Sequence, residues 1–282
     1  MTTATSTSTH TSAPILIIGG AGKTGRRVNA ILTARGIPTR PVSRSTTPSF
    51  DWERPEGWSA ALDGASKAYV TYQPDLAVEG ATEAIAELAH LARKKGLERV
   101  VLLSGRGEPG AQRAEAALQA SGVPWTTVRA SWFNQNFSEG YLLDSVLAGE
   151  VALPAGAVRE PFIDADDIAE VVVAALTDER HANRLYEVTG PRALTFADAV
   201  GEIAAALGRP VRYVRITPED FVVTMRAYAP ESIVQLLNDL FTVVLDGRNT
   251  QVMSGVQEAL GRPPCDFSTY VRNTARAGIW SH

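Results

Sequence analysis

Glycines stand at positions 19, 22 and 25 directly after the apolar run Ile15-Leu16-Ile17-Ile18, in the stretch Gly19-Gly20-Ala21-Gly22-Lys23-Thr24-Gly25. An amphipathic pattern through Val28, Ile31 and Leu32 follows and stops at Gly36. This reads as a buried parallel strand, a tight turn and a helix whose N-terminus faces the turn. Free N–H groups and partial positive charge at such an N-terminus suit a pyrophosphate. Gly19 permits the turn, Gly22 lets a phosphate approach the backbone, and Gly25 lets helix and strand pack closely. Gly22-Lys23-Thr24 also looks like the end of a P-loop. Position 17, where that motif needs its first glycine, is Ile, so the NTPase reading fails. A dinucleotide site remains.

The second strand chooses between dinucleotides. An acid at its end would bind the adenosine ribose hydroxyls. Here it ends Val42-Ser43-Arg44-Ser45, with no acid. Arg44 suits a bidentate clamp on a 2′-phosphate, with Ser43 and Ser45 as further donors and Lys23 as a second positive charge. NADP(H) is expected in preference to NAD(H).

Strand-like and helical runs alternate around this motif. Strands are expected at 15–18, 39–43, 68–72, 100–103 and 126–129, with helices over 23–35, 78–95 and 108–120. Such alternation with short links implies an α/β, doubly wound (Rossmann) parallel sheet with its ligand crevice at the carboxyl ends of the strands. The loops that matter start at Gly19, Ser43, Tyr72, Ser104 and Ala130. Past residue 148 short extended pieces (151–153, 161–163, 185–188, 211–214) mix with helices. The nucleotide-binding domain is expected over 14–148, its last strands running past 148, and a smaller substrate-side lobe over 149–282. Residues 1–13, nearly all Ser, Thr and Ala, read as a disordered leader.

Composition narrows the field. A chain of 282 residues, 45% hydrophobic and 21% charged, needs no metal or disulfide to hold it together. Net charge is −4 with no basic run, against nucleic acid as partner. The one cysteine, Cys265, forms no disulfide within the chain, which fits the cytoplasm. No apolar run reaches the length of a membrane span. Asp164, Asp166 and Asp167 open a helix and read as its caps rather than as metal ligands. No metal is expected. The partner is a small molecule, and the chain a monomer or homodimer.

With these features in view, the chain resembles the atypical short-chain dehydrogenase/reductases of the NmrA-like group. The resemblance rests on Gly19–Gly25, Ser43-Arg44-Ser45, Leu102-Leu103-Ser104-Gly105, the stretch from Arg129 to Phe137, and Phe162-Ile163-Asp164-Ala165-Asp166-Asp167-Ile168-Ala169. Within the group it looks most like ergot-alkaloid reductases of the festuclavine dehydrogenase type. The resemblance implies an adenine contact at Asp51, placed at a third strand end, and roles for Tyr72 and Ser104 beside the cofactor. Standard enzymes of the superfamily use a Ser, a Tyr and a Lys four residues later. Here Gln112 and Ala116 stand at the Tyr and Lys positions, and Ser104 alone remains.

A positioned general acid contributes roughly 10²–10⁴-fold. Hydride addition to an iminium needs no proton, and a quinone or enone spreads the charge onto an oxygen that water can protonate. The missing pair therefore selects substrates rather than excluding catalysis. Ser104 and Asn136 are expected to orient the substrate against a wall of Tyr72, Trp132, Phe133, Phe137 and Tyr141, with Asn134 and Gln135 as further polar groups. The leading expectation is an NADPH-dependent reductase of iminiums, quinones or enones. The alternative is a non-catalytic NADP(H)-sensing regulator of the nitrogen-regulator type.

Overall fold

The computed structural model describes residues 13–281. The expected leader lies outside them apart from Ala13. In chain order the elements are β1 (Ile15–Ile18), α1 (Lys23–Ala34), β2 (Thr39–Val42), α2 (Trp58–Leu62), β3 (Lys67–Val70), α3 (Ala81–Lys94), β4 (Arg99–Gly105), α4 (Pro109–Ala120), β5 (Trp125–Ala130), α5 (Asn136–Glu139) and α6 (Leu143–Ala148). There follow β6 (Glu150–Leu153), α7 (Ala165–Thr177), β7 (Arg184–Val188), α8 (Phe196–Leu207), β8 (Arg212–Arg215), α9 (Pro218–Met225), α10 (Glu231–Asp239), α11 (Gly255–Leu260) and α12 (Phe267–Arg276).

Six parallel strands form the main sheet in the order β2-β1-β3-β4-β5-β7. β1 is apolar at all four positions because both of its faces are covered. Leu16 and Ile18 point into a core with α2, α3 and α4, whereas Ile15 and Ile17 point into a second core with α1, α7 and α11. The chain leaves β1 toward β2 on one side and returns to β3 on the other. That reversal opens the crevice at the carboxyl ends of the strands.

β7, α7 and α11 pack with the main sheet although all three lie past residue 148. The remaining C-terminal elements build a third core around the parallel pair β6-β8. One expected element differs. Residues 161–163 form only an isolated bridge, Phe133 to Ile163, since Pro161 brings no N–H to a ladder. The apolar run at the end of α10 turns into one turn of π-helix, Leu240–Val244. Among the described residues no helix is long and apolar enough to cross a membrane.

Candidate active site

The glycine turn is shaped by contacts that exclude a side chain. Gly19 has φ +80°, and a Cβ there would meet Thr71 Oγ1 at 2.1 Å. A Cβ on Gly25 would lie 2.2 Å from the Gly19 carbonyl oxygen. Gly22 precedes α1, whose N-terminus has no side-chain cap and no acid in its first turn. By contrast, the side chains of Asp164, Thr195, Thr217 and Asp266 cap α7, α8, α9 and α12. α1 therefore keeps N–H groups free for an anion. Tyr69 donates to Thr24 Oγ1 at 2.8 Å and ties that turn to β3. Lys23 Nζ donates to Asn136 Oδ1 at 3.3 Å. Burial holds its ammonium below the ordinary lysine range, against the pull of Glu139.

At the end of β2, Ser43 Oγ and Ser45 Oγ lie 3.1 Å apart. Arg44 is exposed, and among the described residues its side chain has no partner. A cationic fork with no ion pair fits a 2′-phosphate, as the open cradle above fits a pyrophosphate. Asp51 stands at no strand end. It lies in the loop between β2 and α2, where its carboxylate accepts the Glu53 N–H and its carbonyl the Trp58 indole. The loop is closed by Phe50 N–H donating to the Ser43 carbonyl and by packing of the Phe50, Trp52 and Trp58 rings rather than by a strand ladder.

A cleft of about 370 Å³ runs from Gly22, Lys23 and Thr24 across the ends of β3, β4 and β5. Tyr72, Trp132, Phe133, Asn136 and Tyr141 all line it. Tyr72 leans on Trp52, ring centres 4.6 Å apart. Trp132 is braced by Phe196 and Phe241. Phe137 does not reach the cleft: it is wholly buried among Phe162, Phe196 and Phe267, and its carbonyl accepts the Trp280 indole. The apolar C-terminal core claims it. Gln135 is also spent elsewhere, bonding Asp164 Oδ1 and the Ala165 N–H to fix the start of α7. Asn134 is fully buried.

Ser104 lines the cleft, but its hydroxyl donates to Glu115 Oε1 at 2.5 Å. Glu115 is paired with Arg129, which reaches Glu187 at 2.6 Å. Ser104 can therefore accept a hydrogen bond and has no proton to spare. Gln112 and Ala116 lie on the exposed face of α4 and do not border the cleft. The side chain that α4 turns toward Ser104 is Glu115.

Sequence reasoning missed four charged groups in the cleft wall: Asp75, Arg106, Glu108 and Glu160. Burial, reinforced by the Asp75 charge, pushes the Glu108 carboxyl far above the ordinary carboxylate range. Burial likewise raises Glu160 to about 7, opposed by the Ser131 hydroxyl, which donates at 3.0 Å, and by the Arg106 charge. Asp75 and Glu108 stand in post-strand loops already picked out as the ones that matter. A scan of those loops for acids would have found them.

A family model described as the NmrA-like family matches residues 112–270. An NAD(P)H azoreductase of Xenophilus azovorans is 31% identical over 93% of this chain and 98% of its own length. Festuclavine dehydrogenase of Aspergillus fumigatus is 27% identical, over 90% of this chain and 94% of its own. Among solved structures, an NADPH-dependent quinone oxidoreductase of Escherichia coli, complexed with NADPH, superposes with a TM-score of 0.78. That match covers 92% of this chain and 99% of that one at 18% identity, a likeness of fold. From the glycine cradle to the C-terminal core, the chain thus belongs to the NmrA-like family, as an NAD(P)H-dependent oxidoreductase.

Proposed function

We propose that this protein is an NADPH-dependent reductase acting on an iminium, quinone or enone of a small aromatic or polycyclic molecule. The observation that carries the reading is the continuity of the cleft. It joins the uncapped start of α1 to a wall of Tyr72, Trp132, Phe133 and Tyr141. Its volume, about 370 Å³, falls in the range of small-molecule sites. Gly19, Gly22, Lys23, Thr24 and Gly25 would hold the pyrophosphate, and Ser43 with Arg44 the 2′-phosphate. The reduced nicotinamide supplies a hydride when bound.

The chain's own contribution begins with orientation of the substrate. Aromatic faces fix a flat or cationic ring system, and Asn136, held by Lys23, offers it a polar contact. Holding two partners in register supplies several kcal/mol by itself. The relatives named for azo and clavine chemistry support this choice of flat, conjugated substrates.

The test is oxidation of NADPH, followed by absorbance, against a panel of cyclic iminiums, quinones and enones, repeated with NADH. Turnover with at least one class and a preference for NADPH are expected. Tight NADPH binding with no turnover across the panel would refute the reading in favour of the cofactor-sensing alternative.

A further inference from the structure

The Glu108 carboxyl lies in the cleft wall, within side-chain hydrogen-bonding reach of the Asp75 carboxyl. Two carboxyls meeting in this way hold one proton between them, because both cannot ionise at that separation. Their surroundings decide which keeps it. Asp75 is the more exposed of the two and accepts the Ala77 N–H at 2.7 Å. Glu108 is 8% exposed, and its buried Oε2 meets no donor group. That is tolerable for an oxygen carrying a proton and costly for an ionised one.

Glu108 also precedes α4 without capping it, so the carboxyl forgoes the helix N–H groups that would stabilise its charge. Gly105 makes room for it: a Cβ there would lie 2.0 Å from Glu108 Oε1.

We infer that Glu108, with Asp75 as its partner, is the proton donor of the reaction, a post that the standard enzymes of the superfamily fill with a helix-borne tyrosine. The inference rests on the reductase reading. A quinone is reduced to its hydroquinone by one hydride, taken from the reduced dinucleotide, which is oxidised, and one proton, taken from Glu108. The Glu108 carboxylate then recovers a proton from solvent. The other titratable groups of the same cleft are Lys23, Tyr72, Arg106, Tyr141 and Glu160, and the charge acting on Glu108 is that of Asp75. The Tyr72 phenol is a poorer donor. Burial and the charges of Glu53 and Glu83 raise it, and no cation lowers it.

The test uses wild type, Glu108→Gln and Asp75→Asn. Infrared difference spectra of the cofactor-free protein at about pH 8, above the range in which Glu160 holds its proton, should show a protonated-carboxyl C=O band that Glu108→Gln removes. NADPH affinity, read by fluorescence, should be retained in both variants. The quinone rate should fall about 10²-fold in Glu108→Gln, and the quinone-to-iminium rate ratio should fall with it, since iminium reduction consumes no proton. Asp75→Asn removes the repulsion that keeps Glu108 protonated, so the alkaline limb of the quinone pH profile should move toward acid. Absence of the band from wild type, or an unchanged rate ratio in Glu108→Gln, would overturn the assignment. A wild type that shows the band and turns over none of the panel would overturn the reductase reading instead, and the donor role with it.

Discussion

Glu160 gives the cleft a measurable electrostatic signature. It is 1% exposed, and among the described residues Ser131 is the one hydrogen-bond donor to its carboxyl. Its carboxyl is raised from an ordinary 4.5 to about 7. Between those two values the folded protein keeps the proton and the unfolded chain releases it. Stability is therefore fully present below the unfolded value and falls as pH rises through the folded one. At 1.36 kcal/mol per pH unit, the loss amounts to roughly 3 kcal/mol. Glu160→Gln keeps an acceptor for Ser131 and cannot titrate. Relative to wild type it should therefore gain about 3 kcal/mol on going from about pH 4.5 to about pH 8, with the other carboxyls cancelling in the difference. Urea unfolding of both proteins across this range reads the effect. With m near 3 kcal/mol per molar, the midpoint difference should move by about 1 M. Parallel midpoints at every pH would show that Glu160 ionises as freely folded as unfolded, and the desolvation argument would fail.

Three further outcomes follow from other parts of the molecule. Arg44→Ala should weaken NADPH roughly 10- to 100-fold, the worth of hydrogen bonds to a charged group, and leave NADH unchanged; titration of both cofactors by fluorescence checks this. Gly25→Ala should abolish cofactor binding and cost about 1–3 kcal/mol of stability by overpacking, because the new Cβ lands 2.2 Å from the Gly19 oxygen; thermal melts with and without NADPH separate the two effects. Phe137→Ala should cost roughly 3–5 kcal/mol and leave the relative kcat/KM values across the substrate panel as they were, since Phe137 packs in the core; urea unfolding beside steady-state kinetics tests both halves.

The parts of the protein legible in the sequence are those set by local spacing. Ile15–Ile18 declares a doubly covered strand, and the glycines declare a turn whose contacts forbid side chains. Asp164 and Thr195 declare the helix starts that they cap. Pairings at long sequence distance leave no such trace. Nothing near Phe137 announces Phe162, Phe196 and Phe267, so an aromatic segment beside a strand end read as all wall when one ring belongs to the core. Asp51 looked like a strand end because the stacking that shapes its loop involves Trp58, seven residues on. Asp75 and Glu108 are 33 residues apart, each ordinary alone, and only the adjacency of β3 and β4 brings them together.

That adjacency also explains how a reductase of this superfamily can dispense with tyrosine and lysine on α4. Here the helix turns Glu115 to the sheet, and Glu115 accepts the hydrogen bond that Ser104 donates and pairs with Arg129, itself bound to Glu187 on β7. This strip of charge crosses β4, β5 and β7 and is largely buried, so removing one member would strand another without its partner. α4 is thereby committed to structure, and no side chain on its inner face is free to give up a proton. The loops beyond the strand ends, where backbone and neighbours are not bound into the ladder, can supply an acid instead. Glu108 lies three residues past the end of β4, on the cleft side of the helix start, with the Asp75 loop of β3 against it. The chemical post has moved from a helix face to a strand-end loop, and the ion network beneath Ser104 is the physical reason it could not stay.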